Sequence, residues 1–340
     1  MSEVDPAALG AAVRQVLGDS LGYLYPAALR VAVRVGVADH LAGGPLPVQR
    51  LAALGGVQED HLRRVLRFLA TRGVFREDED GAFHLTTAAS SLRSDSPLSV
   101  RSTVLLLTDE MYWLPAGRLE DTVRKGTTMF NDIFGSPLFD YLAGDEERAR
   151  IFHTGIADLS TMEQDGIAES YSFPDTGMVI DVAGGPGGFL QAVLSRNPRL
   201  RGVLFDQEPV LREHRLTDPA IAGRWEIAAG DFFTAVPRGG DMYLLKRVLH
   251  DWDDAESLRI LRSCRAAMSD QARLLVIDAI VPPGNDPHPS KLYDIAMMTI
   301  FDGKERTEQE FGGLLAAADL KPTRVIATPG TVSIIEAVAA

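Results

Sequence analysis

Apolar and polar positions change rhythm near residue 175. Before it, apolar residues mostly recur at helical spacing. "YPAALRVAVRVGVADHLAG" places Ala27, Leu29, Val31, Val33, Val37 and Leu41 in a largely apolar helical pattern, which predicts a helix over 26–41. "VQRLAALGG" and "QEDHLRRVLRFLATRG" predict two further short helices. "GVFREDEDGAFHLTT" predicts two short strands joined at Asp80-Gly81, a pair suited to positive φ. Helix, helix, helix, hairpin is the order of a winged helix. Residues 101–172 read as helical and connecting. "FPDTG" at 173–177 breaks that pattern, so the chain divides into 1–100, 101–172 and 173–340.

From 173 onward the apolar runs have strand length: "MVIDV", "GVLFD", "WEIAAGD", "MYLLKRVLH", "RLLVIDAIV", "TRVIAT" and "SIIEAVA". Helical segments such as "AESLRILRSCRAAM" separate most of them. This alternation predicts an α/β fold with a mostly parallel sheet covered on both faces. The last two runs lie close together and suit an antiparallel pair at one edge. Ligands of such sheets bind beyond the carboxyl ends of the strands.

Composition narrows the picture. The 340 residues, 46% hydrophobic and 24% charged, suit a soluble globular protein with more than one core. The opening residues lack a secretory pattern, and no apolar stretch nears the ~20 residues of a membrane span. A single cysteine, Cys264, rules out an intramolecular disulfide and suits a reducing cytoplasm. A net charge of −13 opposes general affinity for nucleic acid or anionic membrane.

The strand ends carry the candidate chemistry. "DVAGGPGG" at 181–188 lets a ligand approach the backbone at a helix start. It does not match G-x-G-x-x-G, and Pro186 removes one N–H. A nucleoside without phosphates tolerates that loss. Asp206 suits both ribose hydroxyls; Asp231 suits an adenine amine, with Phe232 over the base. Singly, each has a plain structural reading: a tight turn, a helix cap, a turn aspartate beside a core aromatic. Together they describe one nucleoside.

"LLKRVLHDWDDAES" ends a strand with His250, ahead of a helix capped by Asp251 or Asp253. A histidine there suits a general base, and the plain alternative is a structural histidine. The carboxylates nearby sit on a capping turn with no second histidine at ligand spacing, so no metal is expected. Asp278 closes an apolar strand, where a carboxylate needs a partner. Glu305 sits in a polar loop, alone most simply a surface charge. Thr307 and Glu310 form a capping box after it.

These motifs, with "MFNDIFGSPLFDYLAGDEERARIFHTGI" and "KERTEQEF", resemble the S-adenosylmethionine-dependent small-molecule O-methyltransferases. That group includes the caffeic acid, hydroxyindole and bacterial polyketide O-methyltransferases. The resemblance implies a Rossmann-like doubly wound methyltransferase sheet and an N-terminal winged-helix-like, α-rich dimerisation domain. It implies S-adenosylmethionine as cofactor, S-adenosylhomocysteine as product and a homodimer as the assembly.

It also implies roles. Ala183, Gly184 and Gly185 line the methionine and ribose part of the cofactor, and Asp206 holds the ribose. Asp231 and Phe232 meet the adenine, Lys246 a further part, and Ser160 the methionine end. His250 corresponds to the base, and Asp278 and Glu305 to its flanking carboxylates. Ala183 stands where the family more often has glycine, and alanine there calls for negative φ. Asp278 stands where plant members carry glutamate.

The implied acceptor is a phenolic hydroxyl of a small aromatic metabolite. Phe152, Met162, Met297, Met298 and Phe301 are candidates for its apolar wall, with ordinary core packing as the alternative for each. Asp251 and Asp302 are candidates for polar substituents. Two rival readings accompany this one: a non-methylating relative acting as hydroxylase, decarboxylase or cyclase, and a DNA-binding regulator. Residues 1–100 hold ten basic and eleven acidic side chains, and the hairpin tip "EDEDG" would repel phosphates. Arg63, Arg64 and Arg67 do cluster on the third helix. The intact His250, Asp278 and Glu305 oppose a non-methylating enzyme.

Overall fold

The computed structural model describes residues 5–340. Residues 1–4, the start of the stretch without a secretory pattern, lie outside them. The chain packs as two units. One comprises the residues up to Asp109 with Arg150–Asp158, the other Glu110–Ala149 with Leu159–Ala340. Among the described residues, no helix is long and apolar enough to cross a membrane.

The first unit surrounds a core of Val33, Val37, Leu51, Leu66, Leu69, Phe75 and Phe83. A small antiparallel sheet joins β1 (Leu46–Pro47), β3 (Ala82–Leu85) and β2 (Phe75–Glu77) in that order. The helix predicted over 26–41 is not continuous. It runs Leu24–Val35, stops at Gly36 with φ 74°, and restarts as Val37–His40. A left-handed glycine ends a helix by turning its last carbonyls into capping bonds. In the hairpin, Arg67 bonds Glu77 through Nε and Nη2 at 2.7 and 3.0 Å, and Asp78 holds His84 at 2.6 Å.

The second unit is built on seven strands: β4 (Gly177–Val182), β5 (Leu200–Asp206), β6 (Trp225–Ala229), β7 (Met242–Lys246), β8 (Arg273–Ala279), β9 (Leu320–Ala327) and β10 (Val332–Ala339). Their order is β6-β5-β4-β7-β8-β10-β9. The first five are parallel, and β10 runs antiparallel to both β8 and β9. Each central strand is apolar on both sides because each face has its own core. Ile180 and Val182 pack with Tyr243, Leu245 and Ile260, whereas Val179 packs with Leu190, Leu244 and Ile277. From β4 the chain moves outward to β5 and β6, then crosses back to β7. The order therefore reverses between β4 and β7, and the crevice at their carboxyl ends is where such sheets place ligands.

Candidate active site

The β4–β7 crevice begins with the loop 183–188. Gly184 is required by proximity. A Cβ there would stand 2.5 Å from Leu204 Cδ1 and 2.6 Å from Asp181 Oδ2. Gly185 and Gly187 take positive φ, and helix Gly188–Arg196 follows at once. Ala183 departs from expectation: its φ is 56°, in the left-handed region, not negative. Its N–H donates to the Phe205 carbonyl at 2.8 Å. This bond to the neighbouring strand holds a conformation that costs an alanine roughly 1 kcal/mol.

Asp206, ending β5, accepts from the Gly185 N–H at 2.8 Å and from its neighbour Gln207 at 2.7 Å. Asp181 lies beneath the loop, buried, with Oδ2 unpartnered among the described residues. Burial raises its pKa to about 7, although Lys246 pulls it down. Two carboxyl groups and a missing N–H at Pro186 make a poor phosphate cradle. The same set suits a nucleoside that carries positive charge. Asp231 turns back on its own chain, accepting from the Phe233 N–H at 2.9 Å. Phe232 lies edge-on to Trp252 at 5.9 Å.

Lys246 ends β7. Its Nζ donates to Ser160 Oγ at 2.9 Å and lies 3.0 Å from Glu163. Burial lowers its pKa, opposed by Glu163. Glu163 also accepts a fork from Arg247, Nε at 2.8 Å and Nη2 at 2.9 Å. Burial works against the Glu163 carboxylate, but these two cations bring its pKa to about 2. Arg247 has φ 52°, a second left-handed residue without glycine's freedom. Sequence reasoning passes over Glu163 and Arg247, whose pairing spans 84 positions.

His250 lies on a single 3-10 turn, Leu249–Asp251, and is 8% exposed. Asp253, not Asp251, caps the next helix, accepting from the Glu256 N–H at 2.8 Å. The imidazole Nδ1 is 3.0 Å from Glu305 Oε1, and Nε2 is 3.4 Å from Asp251 Oδ1. A carboxylate accepts only, so Nδ1 carries the proton of that bond in the neutral ring. Glu305, rather than Asp278, thus makes the bond to the ring.

Asp278 is fully buried, and both its oxygens lack a hydrogen-bond partner among the described residues. Burial raises its pKa to about 7, with His250 pulling the other way. Burial likewise raises Asp251 to about 6. The ring responds in reverse. Burial opposes its charge, but Asp251, the Glu305 bond and Asp278 outweigh it, and its pKa rises to about 9.

The acceptor candidates divide. Phe301 lies 5.7 Å from Phe139, which stacks on Trp252 at 6.1 Å. Met298 lines a cavity of about 280 Å³ with Asp294 and Glu305. Met297 is half-buried on the same helix, Pro289–Ile300. Met162 is 45% exposed. Asp302 is already engaged, accepting from the Thr128 N–H at 2.9 Å. Phe152 is buried and belongs to the first unit. Tyr112 is a residue the pattern misses: burial and the nearby Asp251 carboxylate raise its pKa.

Comparison with known proteins shows the family. An O-methyltransferase domain matches residues 117–321, and an O-methyltransferase dimerisation domain matches 19–95. The chain is 38% identical to phenazine O-methyltransferase PhzM of Lysobacter antibioticus, over 93% of each chain. It is 44% identical to the solved CalO1, a methyltransferase of calicheamicin biosynthesis bound to S-adenosylhomocysteine, with TM-score 0.89 over 99% of this chain and 100% of that one. A further neighbour, NcsB1 of neocarzinostatin biosynthesis, was solved with S-adenosylmethionine and 2-hydroxy-5-methyl naphthoic acid. It is 32% identical, with TM-score 0.79 over 93% of this chain and 96% of that one.

Proposed function

The chain belongs to the S-adenosylmethionine-dependent O-methyltransferases of bacterial secondary metabolism, and from that premise we propose that it methylates a phenolic hydroxyl of a small aromatic metabolite, with His250 as the general base. S-adenosylmethionine is the methyl donor. When bound, it supplies a sulfonium-activated methyl group and leaves as a neutral thioether.

One observation carries the reading: a buried imidazole with Nδ1 3.0 Å from Glu305 Oε1, and we assign its other nitrogen, Nε2, as the proton acceptor. A phenol ionises near ~10, and the ring near about 9. Base and acid are therefore closely matched, and the ring accepts the proton in its neutral form, the minor form below about pH 9. The phenol O–H bond breaks and its proton passes to His250 Nε2, while the oxygen would take the methyl group as the sulfur–methyl bond of the bound donor breaks. Glu305 fixes the tautomer beforehand and stabilises the imidazolium afterwards. Asp251 and Asp278 add negative charge beside the ring.

The cofactor is assigned to loop 183–185, with Asp206 at the ribose, Asp231 and Phe232 at the adenine, and Lys246 and Ser160 at the methionine end. Met297, Met298 and Phe301 are assigned to the acceptor's apolar face. Asp251 and Tyr112 are assigned to its polar edge. The dimerisation domain supports a homodimer.

The test is a panel of hydroxynaphthoates and hydroxyphenazines, each with its amino analogue, assayed for S-adenosylhomocysteine release. Hydroxy compounds are expected to turn over and amino analogues not. His250→Ala is expected to lower kcat/KM by about 10²–10⁴-fold, with S-adenosylhomocysteine affinity by calorimetry unchanged. Near-normal turnover in that variant would reject His250 as the base.

A further inference from the structure

Arg306 is the largest fully buried side chain, at 0% exposure, and it follows Glu305 directly. An unpaired guanidinium in that position is very costly, so its partners define its purpose. Nη1 donates to the Leu249 carbonyl at 2.7 Å, and Nη2 to the Trp252 carbonyl at 2.8 Å. Those two carbonyls flank His250 and Asp251. Nε and Nη2 also bond Asp254 at 3.0 and 2.9 Å, and Nη2 reaches Ser257 Oγ at 3.1 Å. Its main chain ties elsewhere: the Arg306 carbonyl accepts from the Val281 N–H at 2.9 Å, just past the end of β8 and Asp278.

Gly303 meets the same turn directly. A Cβ there would overlap the His250 carbonyl oxygen and stand 2.5 Å from the Asp251 carbonyl carbon and 2.6 Å from the Trp252 nitrogen. Those are backbone atoms and cannot rotate away. Its glycine is demanded by contact, since its φ is not in the left-handed region.

We propose that Gly303 and Arg306 are positioning residues, gripping the turn 249–252 so that the imidazole of His250 is held at bonding distance from Glu305. One loop carries the carboxylate, the guanidinium and the glycine. The turn carries the ring. The grip makes their spacing a property of residues about fifty positions apart. Its consequence for catalysis rests on His250 being the base, but the test reads the ring itself.

The charged groups facing the ring are Asp251, Asp278 and Glu305, with Arg247 beside the carboxylates. The experiment follows histidine-labelled, full-length protein saturated with S-adenosylhomocysteine by NMR, assigning His250 from its absence in His250→Asn. In the native protein the ring is expected to titrate well above its ordinary ~6.5. Arg306→Lys keeps the charge but lacks the planar fork, and its midpoint is expected to fall by about one pH unit. Gly303→Ala is expected to move it the same way.

On a Glu305→Gln background, Arg306→Lys is expected to add little, since both act on one contact. Asp254→Asn alters an exposed partner of Arg306. In about 0.5 M salt, where distant charges are screened, it is expected to lower the midpoint by roughly half a unit. Should Arg306→Lys fail to fold, Asp254→Asn decides alone. An unchanged midpoint in a folded Arg306→Lys or Asp254→Asn overturns the proposal, and so does full additivity with Glu305→Gln. Failure of His250 as the base would appear separately, as turnover in His250→Ala.

Discussion

The turn after β4 and the turn after β7 stand at neighbouring strand ends and owe their shapes to different causes. Residues 183–188 are shaped by small side chains. Gly184 fits only because it has no Cβ, and Gly185 and Gly187 supply positive φ. Residues 249–252 are shaped by distant side chains: the carbonyls on either side of His250 are held by Arg306, and Gly303 packs against the peptide between. The first turn is a steric device written within eight residues. The second is an electrostatic device whose parts are dispersed from Lys246 to Arg306. Mutations should therefore act on the first mainly through space and on the second through charge and spacing.

The largest effect that would sharpen this contrast is pH dependence. With the ring at about 9, a neutral imidazole becomes tenfold scarcer for each pH unit below that value. The kcat/KM for a neutral phenol is expected to rise about 50-fold between pH 7 and 9, then fall as the phenol ionises near ~10. Glu305→Gln removes a bond that raises the ring's pKa, so the rising limb is expected to move to lower pH. A profile unmoved by that change would break the electrostatic account of the second turn.

Gly184→Ala comes next. Its Cβ meets Leu204 and Asp181 at 2.5 and 2.6 Å. Overpacking of this kind costs about 1–3 kcal/mol. S-adenosylhomocysteine affinity by calorimetry is expected to fall about 10-fold or more, with the pH midpoint of turnover unchanged. A shifted midpoint would show that the two turns are not independent.

Ala183→Gly is the smallest. It relieves a left-handed alanine at the cost of a freer unfolded chain, a net gain of about 0.5 kcal/mol or less. The thermal midpoint is expected to rise by about 1 °C. A fall would mean that the Ala183 methyl contributes more through its packing against the sheet core than its backbone strain costs.

Legibility in the sequence follows the same division. The parallel strands, the antiparallel pair at the edge and the Thr307–Glu310 capping box are local patterns, and all are present. Asp206 stands at the end of β5 because a short apolar run ends there, and His250 lies on the turn that follows β7. The break at Gly36 is missed although glycine is the usual residue of a left-handed helix end, and the positive φ of Ala183 is missed because residue type does not announce it. Glu305 alone reads as surface charge, yet the fold buries it against His250.

By itself the amino-acid order determined the alternation of strands and helices and the residue types delivered to the strand ends; the reversal of strand order between β4 and β7 belongs to the fold. Periodicity and glycine placement act over a few residues and survive in any folded context. Only the tertiary structure decided which carboxylate meets His250, and which buried groups shift its pKa and hold it in place. Those outcomes depend on desolvation and on distances between residues tens of positions apart, which the folded chain alone sets.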